Sequence, residues 1–186
     1  MSALNILRAK FGNSALLLLP FVEGLSHEHG FADYNDAGTS VTPVNLPTDT
    51  WVDLPNDGLG PFSQESLPLS MSEGLLGAGG AIDISSMPTG SDILIRQDFT
   101  VTPASNNAAL YFRYKLGGGA GEYTLEKSIG RLDQGAGVGY RHSLTTDYIY
   151  SGDANTKDNP IQPQIKLSSA GTVVNAGMAI KIYKAS

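Results

Sequence analysis

Three clusters of side chains in this 186-residue sequence have residue types that chemistry uses. His27 and His29 flank Glu28. Alternate residues of an extended chain share a face, so both imidazoles could join one metal, completed by Asp33 or Asp36. Two histidines without a clear third ligand favour a solvated loop instead. His142 and Ser143, with Asp133 or Asp147 nearby, have the types of a nucleophile relay. Adjacent residues on a strand point to opposite faces, which argues against it. Glu122 and Glu126 could pair as acid and base, but one solvent-facing strand accounts for both.

The ligand-loop motifs fail at their demanding positions. Gly117–Gly121 and Gly135–Gly139 look like dinucleotide loops, yet Glu122 and Tyr140 stand where the closing glycine belongs. No helix pattern follows either run, so both are expected to be strand-connecting loops. Asp153–Asp158 begins like a calcium loop. It then places Lys157 at the fifth position, Asp158 where glycine is needed and Gln164 at the twelfth. No Gly-x-Ser-x-Gly elbow and no phosphate-binding Gly-Lys-Ser/Thr loop occurs. The sequence therefore predicts no catalytic residue, no metal and no cofactor: the chain is not expected to be an enzyme.

The elements that carry these residues follow a period of two, the period of a strand. Ile93, Ile95, Phe99 and Val101 alternate with Asp92, Arg96, Asp98 and Thr100. Leu110, Phe112, Tyr114 and Leu116 oppose Arg113 and Lys115. Ile161, Pro163, Ile165 and Leu167 oppose Gln162, Gln164, Lys166 and Ser168. Met178, Ile180 and Ile182 form a last strand. Further strands are expected over 41–46, 50–54, 81–85, 123–129, 138–150 and 171–174. The strand over 138–150 is long enough to bend between two sheets. Breakers such as Asn56-Asp57-Gly58, Pro88-Thr89-Gly90 and 151–159 separate them. Eight or more short strands at this spacing predict an all-β sandwich, with a jelly roll the natural eight-strand solution.

Composition agrees. With 22 Gly, 10 Pro and only 16% charged residues the chain is turn-rich and sparsely charged, yet 41% is hydrophobic. Sustained heptads, a collagen repeat and an apolar run long enough to span a bilayer are all missing. The net charge of −6 and the scattered Lys and Arg argue against a nucleic-acid partner. The lack of Cys excludes a disulfide scaffold and suits a reducing cytoplasm.

Residues 1–40 break the pattern and are expected to be an arm and linker, with the sandwich over 41–186. Leu16, Leu17, Leu18, Leu19, Phe21 and Val22 make the arm apolar, which needs a covering surface. Arg8 and Lys10 before this run give it the look of a secretory signal, but Pro20 interrupts it and no Ala-x-Ala-like site follows. An extended or partly helical arm is the better expectation. The polar stretch 26–40 has no periodicity and is expected to be loop. Eight Tyr against one Trp supply rings with a polar tip, which suit partly wet interfaces. Tyr111, Tyr148, Tyr150 and Tyr183 are the candidate partner-face residues.

The stretch from Leu110 to Lys184, opening LYFRYKLGGGAGEYTLEKSIG, resembles small virion structural proteins of tailed bacteriophages. Those carry a jelly-roll head of the tumour-necrosis-factor and complement-C1q type. SVTPVNLPTDTWVDLPNDGLGPF, residues 40–62, is similar to the entry strand and first turn of such a head. The resemblance implies a homotrimer packed around a threefold axis. It further implies a place in the virion, assembled in the bacterial cytoplasm, with the major capsid protein or other virion proteins as partners. With no shaft repeat and an apolar arm, the expected role is capsid decoration, or cement. The alternative is the receptor- or glycan-binding head of a short fibre or tail component, binding a host surface glycan through 140–158.

Overall fold

The computed structural model describes residues 28–68, 71 and 73–185. The arm residues Leu16 to Val22 lie outside them. Ten strands form two antiparallel sheets. They are β1 (Glu28–Asn35), β2 (Val44–Leu46), β3 (Val52–Asp53), β4 (Gln64–Ser66) and β5 (Asp92–Pro103). There follow β6 (Ala108–Leu116), β7 (Tyr123–Leu132), β8 (Tyr140–Tyr150), β9 (Gln162–Leu167) and β10 (Gly171–Lys184). Two single turns of helix, α1 (Gly38–Val41) and α2 (Ala154–Lys157), sit in loops.

One sheet has the order β4-β1-β10-β5-β8, with β2 also paired to β10; the other has the order β3-β9-β6-β7. The main pairings are nested. β6 pairs with β7, β5 with β8, β3 with β9, and β1 with β10. A long antiparallel ribbon rolled into two facing sheets gives this nesting, and it defines a jelly roll. The all-β jelly-roll sandwich read from the sequence is the fold of the chain.

The one-sided strands put their apolar sets between the sheets. Ile93, Ile95, Phe99 and Val101 face Leu110, Phe112, Tyr114, Ile165 and Leu167, all fully buried. Phe99 stacks on Phe112 at 5.9 Å, and Tyr114 meets Phe112 edge-on at 5.0 Å. Such aromatic pairs add to the stabilisation that burial gives.

Four expectations need correction. The loop expected over 26–40 is strand from Glu28 to Asn35, paired with β10 at all eight positions. Its inner face is only Gly30, Ala32 and Tyr34, too weak an apolar stripe to show against His29, Asp33 and Asn35. The strands expected over 171–174 and 178–182 are one strand, bulged between Asn175 and Gly177. The strand ending at Tyr150 does not switch sheets: β8 pairs with β5 throughout and absorbs its length in a bulge opposite Ile95–Gln97. No strand covers 81–85, where Ile82 makes only single bridges to Leu76 and Ile161.

The β10 bulge is organised by polar side chains. Gly177 has φ +133, a conformation that strains residues with a Cβ, and a Cβ there would also press on Asn35 at 2.8 Å. Asn175 is buried beside it. Its Oδ1 accepts from Gln97 Nε2 at 2.8 Å and from the Gly177 N–H at 3.0 Å. Its Nδ2 donates to the Pro55 carbonyl at 2.7 Å, and its N–H donates to Thr39 Oγ1 at 2.8 Å. The side-chain amide therefore joins β10, β5 and the loop after β3, and the backbone N–H adds α1. Asn175→Ala leaves the Gln97 donor and the Pro55 carbonyl buried without this partner. It is expected to cost about 3 kcal/mol in urea unfolding. A loss well under about 1 kcal/mol would show that the bulge holds without the amide.

Candidate functional site

The outer face of the β4-β1-β10-β5-β8 sheet is where polar side chains are expected and aromatic ones are found. Strand register sets three rows across it. His29, Tyr183, Asp92 and Tyr150 form one row; Phe31, Lys181, Leu94 and Tyr148 form the next; Asp33, Ala179 and Arg96 form the third. Phe31 is 45% exposed, Tyr148 56% and Tyr150 53%. His29 meets Tyr183 edge-on at 5.1 Å, and Lys181 Nζ lies 5.1 Å from the same ring. An open, mainly apolar groove of about 530 Å³ runs between Phe31, Leu94 and Ala179, walled by His29, Arg96 and Lys181. Arg96 is held by Asp98 at 3.0 Å and Lys184 by Glu28 at 3.4 Å, while Lys181 stands within the row itself.

Tyr148, Tyr150 and Tyr183 are thus brought together on one face. Tyr111 is not with them. It lies on the outer face of the opposite sheet, in register with Lys166 of β9 and one row from Arg113 and Gln164. Trp51, just before β3, stands beside Lys166 in the same row. Sequence reasoning passed over Trp51, Arg113 and Lys166, because only cross-strand register joins them.

The residues considered for catalysis are dispersed. Ser143 points outward and hydrogen-bonds Asp98, while His142 points between the sheets, its ring 5.5 Å from Phe99. Glu122 pairs with Lys115 at 3.4 Å, and Glu126 stands opposite Arg113. His29 packs on Tyr183; His27 lies outside the described residues. Among the described residues, no group of three or more His, Asp or Glu could hold a metal. Nor is any helix among them long and apolar enough to cross a membrane.

Of the stretch 140–158, expected to face a glycan, residues 140–150 are strand β8, and in the loop that follows Asp153 and Asn155 spend their polar groups internally. Asp153 accepts from the Thr156 N–H at 2.8 Å and caps α2. Asn155 Oδ1 accepts from the Gly118 N–H at 3.0 Å, and its Nδ2 donates to the Gly121 carbonyl at 2.7 Å. The first glycine run is therefore a loop clamped by an asparagine, not a phosphate cradle.

Polar groups also meet between the edge strands. Lys127 of β7 pairs with Asp147 of β8 at 2.5 Å, linking the two sheets. Burial pushes the Tyr114 phenol well above its usual range, and the Asp147 charge adds to this. Burial holds the His142 imidazole below its usual value, and its Nε2 has no hydrogen-bond partner.

No family model matches the chain, and no curated protein does. Among solved structures, the vertex protein P5 of PRD1 is similar, with a TM-score of 0.45 and 13% identity, over 86% of this chain and 74% of that one. The Eiger tumour necrosis factor of S. frugiperda is similar with a TM-score of 0.40 and 9% identity, over 86% of this chain and 94% of that one. The jelly-roll assignment rests on this chain's own strand order.

His142 sets an acid limit on stability. Its folded form binds a proton less readily than its unfolded form, so stability is present above the ordinary imidazole value near 6.5 and is lost as pH falls below it. Chemical denaturation between neutral pH and the onset of carboxylate titration should show this loss. His142→Gln should flatten the curve there, and an unchanged slope in that variant would assign the loss elsewhere.

Proposed function

We propose that the chain is a non-enzymatic structural protein of a bacteriophage virion, a homotrimeric capsid decoration or cement protein. Its head trimerises through the outer face of the β4-β1-β10-β5-β8 sheet. Leu16, Leu17, Leu18, Leu19, Phe21 and Val22 anchor it to the major capsid protein or a neighbouring virion protein. The observation that supports this reading is the aromatic face itself. Phe31, Tyr148 and Tyr150 are exposed and Leu94 is half-buried on a sheet whose other side is already core, with Lys181 set between Phe31 and Leu94. Water against such a patch is unfavourable, and a self-complementary partner removes it. The threefold closure comes from the resemblance to tumour-necrosis-factor and C1q heads. A bridging role needs no catalytic group: many copies multiply weak contacts along the shell.

Two experiments test the two halves of the reading. Light scattering of the purified chain should give three times the monomer mass of 19.6 kDa. Phe31→Glu with Tyr148→Glu should give a folded monomer, because both positions are exposed and lie outside the core. A wild-type monomer at micromolar concentration would sink the trimer. Deleting residues 1–24 should leave the trimer intact and abolish occupancy on phage capsids. Undiminished occupancy would show that the arm is not the anchor.

A further inference from the structure

The outer face of the second sheet, β3-β9-β6-β7, carries a different kind of surface. Lys166 Nζ stands between two rings, 4.8 Å from Trp51 and 4.7 Å from Tyr111. The Arg113 guanidinium lies 4.2 Å from the same Trp51 ring. Arg113 Nε donates to Gln164 Oε1 at 2.7 Å, and Gln164 Nε2 donates to Asp53 Oδ1 at 2.6 Å. Two cations are thus fixed around one indole, by ring contacts and by a hydrogen-bonded chain that leads to an exposed carboxylate.

Neither cation is neutralised. Arg96, Lys115, Lys127, Lys157 and Lys184 each have a carboxylate within ion-pair distance. Among the described residues Arg113 and Lys166 have none, as is true of Arg131, Arg141 and Lys181, although Glu126 stands opposite Arg113 in the ladder. Asp53 and Glu126 lie on the same face, so the two cations are held near carboxylates but paired with neither. Rings beside them offer apolar surface to the same ligand. The geometry points to a binding site for an acidic saccharide, a pyranose that carries a carboxylate. Arg113 and Lys166 take the carboxylate, Arg113 through its planar fork. Trp51 and Tyr111 take the apolar C–H face of the sugar. Asp53 takes a hydroxyl, and the buried Gln164, both of its polar atoms engaged, positions Arg113 and Asp53. Asp53 is what separates this ligand from an acidic peptide: a sugar hydroxyl donates to its carboxylate, whereas a Glu-rich segment meets it with like charge.

The site lies across the sandwich from the aromatic face and does not rest on the trimer. It differs from a glycan surface built on 140–158, where residues 140–150 are strand β8 and Asp153 and Asn155 spend their polar groups internally. Trp51 is the single tryptophan of the chain, so its fluorescence reports on this site alone. Titration with oligogalacturonate should shift or quench that emission saturably, and the neutral oligosaccharide maltotriose should not. Lys166→Gln and Arg113→Gln should each weaken binding by about tenfold or more, with unchanged thermal melting. Arg141→Gln, which removes a cation from β8 on the other sheet, should bind as wild type. No response to oligogalacturonate at millimolar concentration overturns the proposal. So does equal binding of poly-glutamate, which would make the face a general docking surface for acidic chains. Retained affinity in both cation variants overturns it as well.

Discussion

Strand β10 holds the roll closed. It pairs along one edge with β1, which opens the described chain, and along the other with β5. A jelly roll whose inner pairs form first still has two free ends, and the β1–β10 ladder, with the short β2–β10 pairing, joins them. That ladder brings Glu28 to Lys184 and Asn35 to Gly177, a sequence separation that makes closure entropically costly and late. A strand of fourteen residues twists too far to serve two neighbours without relief, and the bulge between Asn175 and Gly177 supplies it. The bulge would strand buried polar groups. The Asn175 amide removes that cost by bonding Gln97, Gly177 and Pro55 at once. Asp57 supports the same corner from outside: it accepts from the Ala37 and Gly38 N–H groups, and these bonds hold its carboxyl below the usual range.

The parts of the fold legible in the sequence are those in which one side chain in two is apolar. β5, β6 and β9 are such strands, because both their neighbours and the facing sheet bury the same face. Legibility fails where burial is achieved by something other than a large apolar side chain. In β1, Gly30 is required because Pro68 and the Ser66 carbonyl pass within 2.7 Å of where a Cβ would stand, so the position carries no hydrophobic signal. In β10, Asn175 is a core residue by virtue of its hydrogen bonds, and a pattern of apolar residues reads it as a break. β7 is an edge strand with most of its side chains exposed, so its ends were set by the turn glycines instead.

The candidate sites show the same limit. Tyrosines could be picked as interface rings from composition, but composition cannot tell which outer face each strand presents. Tyr148, Tyr150 and Tyr183 share a face because β8, β5 and β10 are adjacent in space; Tyr111 is separated from them by the whole sandwich. The pairing of Trp51 with Lys166 and Arg113 depends on register between β3, β9 and β6, three strands far apart in the chain. Register is fixed by the core faces of these strands, and a shift of one residue would exchange every outer side chain for an inner one. The surface chemistry of this protein is therefore a consequence of its core packing.

A two-sheet sandwich has two outer faces pointing in opposite directions, and this chain makes them chemically unlike. The face over β1, β10, β5 and β8 exposes Phe31, Tyr148 and Tyr150, with Lys181 and Asp92 set among its rings. The face over β3, β9 and β6 places cations against the rings, so the apolar area stays hydrated and the charges stay available. Self-association through the first face turns the second outward in every copy. In the proposed trimer three such faces are presented together, and a polymeric ligand meets them at an effective concentration far above that of free monomers. Each individual contact can then be weak, which suits an open sheet face lacking the enclosure of a cavity.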